Sequence, residues 1–458
     1  MQIDSSYIPQ QHSQNEYRRM GDRIRQNPTN PAPEDLCILQ DLRLTYKEPL
    51  AIVFKAIEKI AYGIDRECIC TYRVKRIESI ISKLVRFPNM QVQRAEDIAG
   101  CRVIMRNTDD VYRVVDKIQN GNMPFIIKGK INDYIESPKE SGYRSVHINV
   151  VLKDGDNRRI EIQIRTREHH NWATLVEISD LIFKAKLKEY GPKQEPDLYR
   201  LHQLLAKSDE DLTFKDKYDI TEITAKYKYI GRVGTIFDKN YLVIRKKWNE
   251  MRLKKMSFFL ISTGEDGSPD FEGFTNFEQA EAAYFDLYNN NDGNLNIVLT
   301  HVKNPDFSKI SIAYSNYILT YNSAITRILN ILSEAVVYTY RHYRIGKFRE
   351  YYKHVLCIVA RWYRNTTITE LTKWDEYRSS YKKRSEWSAS IKSNVMEMNR
   401  IMSEMENKLK NGTTYFLPHY YKKKMFKKFM QAIAQINQER IATIPSPKPV
   451  LKGKARKR

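Results

Sequence analysis

"SPKESGYRSVHINVVLKDGDNRRIEIQIRT" spans Ser137–Thr166, and its second half decides how the surrounding sequence folds. From Arg159 to Arg165 the side chains alternate strictly. Ile160, Ile162 and Ile164 lie on one face, and Glu161, Gln163 and Arg165 on the other. A period of two with unlike faces marks a strand buried on one side. Turn residues at Lys153–Asn157 fold the preceding strand back on it as a hairpin. Pairing the strands about that turn sets His147 opposite Gln163 and Asn149 opposite Glu161, all on the face of Arg165. A merely solvated face would carry Lys, Glu and Thr. The grouping of His, Asn, Gln and a single acid points to a functional one.

The 458-residue chain is 41% hydrophobic and 29% charged, the mixture of a soluble globular protein, and its length suits two or three domains of roughly 100–200 residues. It contains no run of about 18 apolar residues, and its first thirty residues lack an apolar core. Neither a membrane span nor a secretory signal is therefore expected, and a cytoplasmic location is. The five scattered cysteines are read as reduced thiols, because Cys68-Ile69-Cys70 has no second Cys or His pair at zinc-finger spacing. The net charge of +22 is uneven: residues 301–458 hold 31 basic and 11 acidic side chains.

Residues 1–35 read as a polar leader, mobile or loosely helical. Leu42, Leu50, Val53, Ile57 and Ile60 have the spacing of an amphipathic helix broken near Pro49. An extended "CICTYRVK" leads to the helix "RIESIISKLVRF", whose apolar face leaves Ser79, Lys83 and Arg86 together on the other. "RAEDIAGCRVIMRN" is a strand, and "TDDVYRVVDKIQNG" a helix capped by Thr108 and closed by Gly121. The hairpin and the helix "EHHNWATLVEISDLIFKAKL" complete the order β-α-β-α-β-β-α. Residues 36–194 are thus expected as an α/β (α+β) domain with a mixed sheet flanked by helices. A helical connector (195–255), a small α/β domain (256–330), a basic helical domain (331–440) and a disordered basic tail (441–458) are expected after it.

A second acid, Asp97, stands just before the strand "IAGCRVI". Two carboxylates on neighbouring strands suit Mg²⁺, which takes oxygen ligands and is usually held by one or two carboxylates plus phosphates. Cations surround them: Arg73, Lys75, Lys83, Arg86, Arg102, Lys139, Arg144 and Arg165. Guanidinium groups grip phosphate with two bonds and stack flat on bases, and lysine acts as a point charge. Tyr143, in a glycine-containing loop, can offer its ring to a purine.

Together, "YRVKRIESIISKL", "EDIAGCRVI", "DYIESPKESGYRSVH" and "IEIQIRTREHHNWA" resemble, in order and spacing, the RelA/SpoT pyrophosphokinase domain that makes the alarmones ppGpp and pppGpp. The resemblance implies a nucleotidyltransferase-like fold and transfer of the β,γ-pyrophosphate of ATP to the ribose 3′-hydroxyl of GDP or GTP, with Mg²⁺. It assigns Arg73 and Arg102 to sandwich the adenine, and Lys75, Ser79, Lys83 and Arg86 to hold the ATP phosphates. Asp97 and Glu161 would bind the metal, with Glu161 also the base towards the hydroxyl. Tyr143 would stack on guanine, while Lys139, His147, Gln163 and Arg165 would order the acceptor loop and its phosphates.

Ser141 stands where the family commonly has Asn, and too few residues precede the first motif for the hydrolase domain of the long members, so synthesis without hydrolysis is expected. The chain looks like a small alarmone synthetase with a C-terminal extension. Its basic last third also suits the toxic branch of the family, which modifies the 3′ end of tRNA, or contact with a ribosome. A catalytically dead fold kept as an RNA-binding module is the remaining alternative. The sequence leaves open whether the chain forms a homo-oligomer like the tetramers of small relatives.

Overall fold

The computed structural model describes residues 11–233 except 156, residues 256–313 except 264–268, 291–295 and 306, and most positions of 323–351, with isolated positions near 245 and 354. These belong to a unit formed by Met1–Ile358. The tail expected at 441–458, and the basic helical domain expected at 331–440 beyond position 354, lie outside the described residues, as does nearly all of 234–255. No described helix is long and apolar enough to cross a membrane.

Three helices come first: α1 (Gln14–Gln26), α2 (Pro33–Leu44) and α3 (Lys47–Ile64). Within the expected leader, α1 is a packed helix. Ser13 and Glu16 cap α1 reciprocally, and Tyr17, Met20 and Ile24 form a buried stripe on an otherwise polar helix. The break expected near Pro49 falls at residues 45–46, which leaves the proline in the first turn of α3, where its missing N–H costs nothing.

Strands β1 (Ile69–Val74), β2 (Ala99–Met105), β3 (Phe125–Ile127), β4 (Asn132–Asp133), β5 (Val146–Leu152) and β6 (Ile160–Thr166) follow, with α4 (Ile77–Arg86) after β1 and α5 (Thr108–Asn120) after β2. The cap of α5 is Asn107 rather than Thr108: the Asp110 N–H donates to Asn107 Oδ1 at 2.8 Å, and Thr108 is the first helical residue. Helices α6 (Arg167–Phe183), α7 (Leu187–Tyr190), α8 (Pro196–Leu205) and α9 (Phe214–Lys226) come next. The last described part contains β7 (Phe258–Thr263), β8 (Pro269–Phe274), α10 (Phe277–Asn290), β9 (Asn296–His301), α11 (Phe307–Ala313) and α12 (Ser323–Arg341).

The nine strands among the described residues form one sheet in the order β3-β5-β6-β2-β1-β9-β7-β8, with β4 paired to β5. The neighbours β2 and β6 run parallel and the other pairs antiparallel. The small α/β segment at 256–330 therefore adds strands to the first sheet instead of building a second one. The link is β9, which pairs with the edge of β1 from Cys70 to Tyr72.

Side-chain alternation gives the sheet two unlike faces. Tyr72, Cys101, Ile162 and Ile148 are register partners across four strands and share the apolar face with Ile160 and Ile164. That face is covered by α3, α5 and α10. Phe54 and α10's Phe277, Tyr284 and Phe285 all meet Tyr72 edge-on. Each fully buried isoleucine contributes roughly 1.5–3 kcal/mol. A one-residue slip of β6 would expose all three, so the register is strongly held.

Gly100 pairs with Glu161 across the parallel strands, and a Cβ there would stand 2.5 Å from the Glu161 carbonyl oxygen. Gly100→Ala should lower stability by about 1–3 kcal/mol through this overpacking. Gly63→Ala, on the exposed face of α3 with no atom within 4 Å of its Cβ position, should raise it by up to about 1 kcal/mol. Urea denaturation midpoints moving in opposite directions would confirm both.

Candidate active site

The polar face of the sheet presents two rows of side chains. His147, Gln163, Arg102 and Thr71 are register partners across β5, β6, β2 and β1, and Asn149, Glu161, Gly100 and Arg73 form the row beside them. The facing pairs His147–Gln163 and Asn149–Glu161 are those the hairpin predicts. These rows floor a cavity of about 690 Å³.

A chain of hydrogen bonds runs along this floor. His147 Nε2 lies 2.8 Å from the Tyr143 hydroxyl and His147 Nδ1 2.8 Å from Glu161 Oε1. Gln163 Nε2 donates to Glu161 Oε2 at 2.7 Å, and Arg102 Nε donates to Gln163 Oε1 at 3.2 Å. Burial works to raise the Glu161 carboxyl. His147 and Gln163 outweigh burial and hold it below its ordinary value, although the charge of nearby Asp97 pushes upward. Glu161 is therefore ionised at neutral pH, so His147 Nδ1 is the donor in their bond.

Asp97 takes Lys75 Nζ on Oδ2 at 2.6 Å and Lys83 Nζ on Oδ1 at 2.8 Å. Burial opposes its charge, but the two ammonium groups together bring its carboxyl down to about 2. Arginines crowd the neighbouring part of the floor. Burial, with repulsion from Arg165 and Arg73, drops the Arg102 guanidinium to about 9, which an anion in the cavity would relieve.

The loop between β4 and β5 forms one wall. Gly142 N–H donates to Lys139 O at 2.7 Å, and φ of +93° at Gly142 makes this a turn that only glycine adopts easily. Lys139 Nζ lies 4.3 Å from the Tyr134 ring centre and 5.4 Å from that of Tyr143.

Arg73, Lys75, Asp97, Arg102, Lys139, Tyr143, His147, Glu161 and Gln163 all line the cavity. Four expected site residues do not. Lys83 reaches the site through Asp97, and Ser79 and Arg86 lie on α4 outside the lining. Arg165, expected at acceptor phosphates, is buried behind the wall, where α6 folds back over the end of β6 and Arg165 Nη2 meets His170 Nδ1 at 2.5 Å. Sequence reasoning missed Glu96, which accepts from Asn149 Nδ2 at 3.0 Å and pairs with Arg159. Its place beside Asp97 in "RAED" was the available signal. It also missed the far wall, where Trp172, Val176, Leu187, Tyr199 and His202 come from α6 to α8. Helices arriving by tertiary packing leave no alternation to read.

Among the described residues no group of three or more His, Cys, Asp or Glu could hold a metal. Two ionised carboxylates on one cavity do fit Mg²⁺, provided that substrate phosphates complete its oxygen shell.

The low Asp97 value also fixes a pH dependence. Lying below the 3.8 of an ordinary aspartate, it stabilises the folded chain fully above about pH 4, and the effect is lost as pH falls through about 2. Asp97→Asn should unfold at lower urea concentration than wild type at pH 7, and the gap should close between about pH 4 and pH 2.

The family model for the region found in RelA/SpoT proteins matches residues 72–188. GTP pyrophosphokinase YwaC of Bacillus subtilis is 36% identical over 113 residues, covering 22% of this chain and 53% of that protein. Against a probable chloroplastic GTP diphosphokinase of Arabidopsis thaliana, 34% identical, the chain covers 17% of the relative's length. The crystal structure of small alarmone synthetase 1 from Bacillus subtilis bound to its product pppGpp matches at 26% identity and a TM-score of 0.30, over 35% of this chain and 87% of that one. GTP pyrophosphokinase YjbM of Bacillus subtilis is 31% identical over 150 residues, which are 31% of this chain and 69% of that protein. Matched over more than two thirds of YjbM, this chain belongs to the RelA/SpoT family.

Proposed function

We propose that the cavity transfers pyrophosphate from ATP to the ribose 3′-hydroxyl of GDP or GTP, with Mg²⁺ held by Asp97 and Glu161. The observation that carries this reading is the meeting of the carboxylates of Asp97 and Glu161 with Arg73, Lys75, Arg102 and Lys139 in one cavity of a RelA/SpoT chain. Such a transfer draws most of its acceleration from positioning and charge neutralisation.

Each residue has a part in it. Arg73 and Arg102 are diagonal neighbours on one face of β1 and β2, and diagonal positions stand roughly 7–8 Å apart. A base stacked between two guanidinium planes needs about that spacing, so the pair suits adenine. Lys75 and Lys83 exchange Asp97 for the ATP phosphates, with Ser79 and Arg86 on the same helix as Lys83 at the outer end of the phosphate chain. Bound Mg²⁺ supplies charge neutralisation on the transferring phosphates. Tyr143 offers its ring to guanine, Lys139 and His147 bind acceptor phosphates, and Gln163 holds Glu161 in place. Glu161 accepts the hydrogen of the 3′-hydroxyl. Attack by that oxygen on the β-phosphorus releases AMP.

One observation favours tRNA as a second acceptor: residues 301–458 carry a net charge of +20, which a nucleic-acid backbone would match. ATP labelled at the γ-phosphate, incubated with Mg²⁺ and GDP, GTP or deacylated tRNA, separates the two. Label is expected in the guanine nucleotide. Label in tRNA alone would transfer the proposal to the second acceptor, and label in none would overturn both. Glu161→Gln should cut the rate at least about 100-fold while the variant still binds ATP.

A further inference from the structure

The loop at 137–145 leaves the sheet and leans its tip on the end of α8. Gln203 Nε2 donates to Glu140 O at 3.0 Å, and Arg144 Nη1 donates to Ala206 O at 2.6 Å. Gly142 sits so close that a Cβ there would stand 2.3 Å from the Ala206 Cβ. The last carbonyls of a helix lack intrahelical donors and carry its partial negative charge. At the end of α8, two guanidinium groups from different parts of the chain take them. Arg144 takes Ala206 O from the loop side. Arg327 of α12 donates to Leu205 O at 3.1 Å and to Lys207 O, and pairs with Asp209 at 2.5 Å. Only 15% of the Arg327 side chain is exposed, so water screens its two carbonyl bonds little, whereas the Asp209 carboxylate is largely exposed.

We infer that the end of α8 couples α12 to the acceptor loop, and that Arg144 and Arg327 are positioning residues for the acceptor nucleotide. The inference rests on the reading of this loop as the acceptor site. Arg144 lies in the matched segment 72–188, and both α8 and α12 lie outside it, so the brace joins that segment to the remainder of this chain. Without Arg327, two carbonyls and the Asp209 carboxylate lose their donor, and the turn at 205–209 relaxes. The loop then loses its backstop, and Lys139 and Tyr143 shift with it. Arg73, Lys75 and Asp97 are held by β1, α4 and the start of β2, away from this brace, so the ATP side keeps its geometry.

The test uses the full chain with Arg144→Met and Arg327→Met, read by hydrogen–deuterium exchange and by transfer kinetics. Amide exchange in 137–145 should rise about tenfold or more in both variants, with 99–105 unchanged. The acceptor KM should rise by a similar factor, while the ATP dissociation constant stays within about twofold of wild type. Unchanged loop exchange in Arg327→Met would overturn the inference, as would equal increases in both segments, the mark of general loosening. If Arg327→Met does not fold, Arg327→Lys is read the same way, because a single lysine nitrogen cannot reproduce bonds that Arg327 makes from two separate nitrogens, Nη1 to the carbonyls and Nε to Asp209. A wild-type chain that transfers no label to any acceptor would overturn the proposed reaction, and the exchange data would still decide the coupling.

Discussion

Between β2 and β6 there is room at position 100 for a hydrogen atom and for nothing larger. The rest of the site follows from that contact. Gly100 has Arg73 as its partner on one side and Glu161 on the other. Strands stand about 4.8 Å apart, so the guanidinium and the carboxylate start from backbones about 10 Å apart with an empty place between them. Any side chain at position 100 would fill it, or would lever β2 away from β6 and break the rows. The cavity floor is a gap in a regular sheet, and the parallel pairing keeps it open.

Burying ions on that floor is costly unless each finds partners. The chain satisfies the charges with one another: Asp97 takes two lysines, and Glu161 takes a histidine and an amide. The partners are unequal. Asp97 faces two ammonium groups, and Arg73, Arg102 and Arg165 crowd together with less acid to balance them. A phosphate chain entering the cavity would take over the lysines from Asp97 with charge-assisted bonds of the same kind. Ion pairs that hold the site together would thereby be the contacts exchanged on arrival of the proposed substrate.

What the sequence revealed follows from the range of each interaction. Alternation in β5 and β6 is local, so the partners of His147 and Asn149 and the two faces of the sheet could be read directly. Asp97 and Glu161, sixty-four positions apart, were joined by the pattern of motifs and do line one cavity. Local pattern says less where a long-range contact decides. Arg165 continues the polar alternation of β6, yet α6 covers it. Ser79 and Arg86 share a helix face with Lys83, but only Lys83 is placed to reach Asp97. Tyr17, Met20 and Ile24 are three apolar residues among charges, too sparse to identify a packed helix before its neighbours are known. Thr108 and Asn107 are both good caps, and the choice between them turns on a single residue of backbone.

The strands at 258–301 depend on β1 in a way that composition concealed. Taken with β2 alone, β1 would be an edge strand with the apolar sequence "ICTYRV", the kind of edge that invites aggregation. β9 covers it, and the contacts continue into α10. Tyr284 Oη accepts from the Val74 N–H at 2.8 Å, and the Tyr288 ring lies 4.0 Å from the guanidinium of the fully buried Arg43. Arg43 Nε in turn donates to the Lys75 carbonyl at 2.9 Å. A chain cut after residue 190 would bare the edge of β1 and strip the aromatic cover from Arg43. It would also loosen the backbone that aims Lys75 at Asp97. The matched segment 72–188 therefore holds the chemical groups, while residues well beyond it hold one of those groups in position.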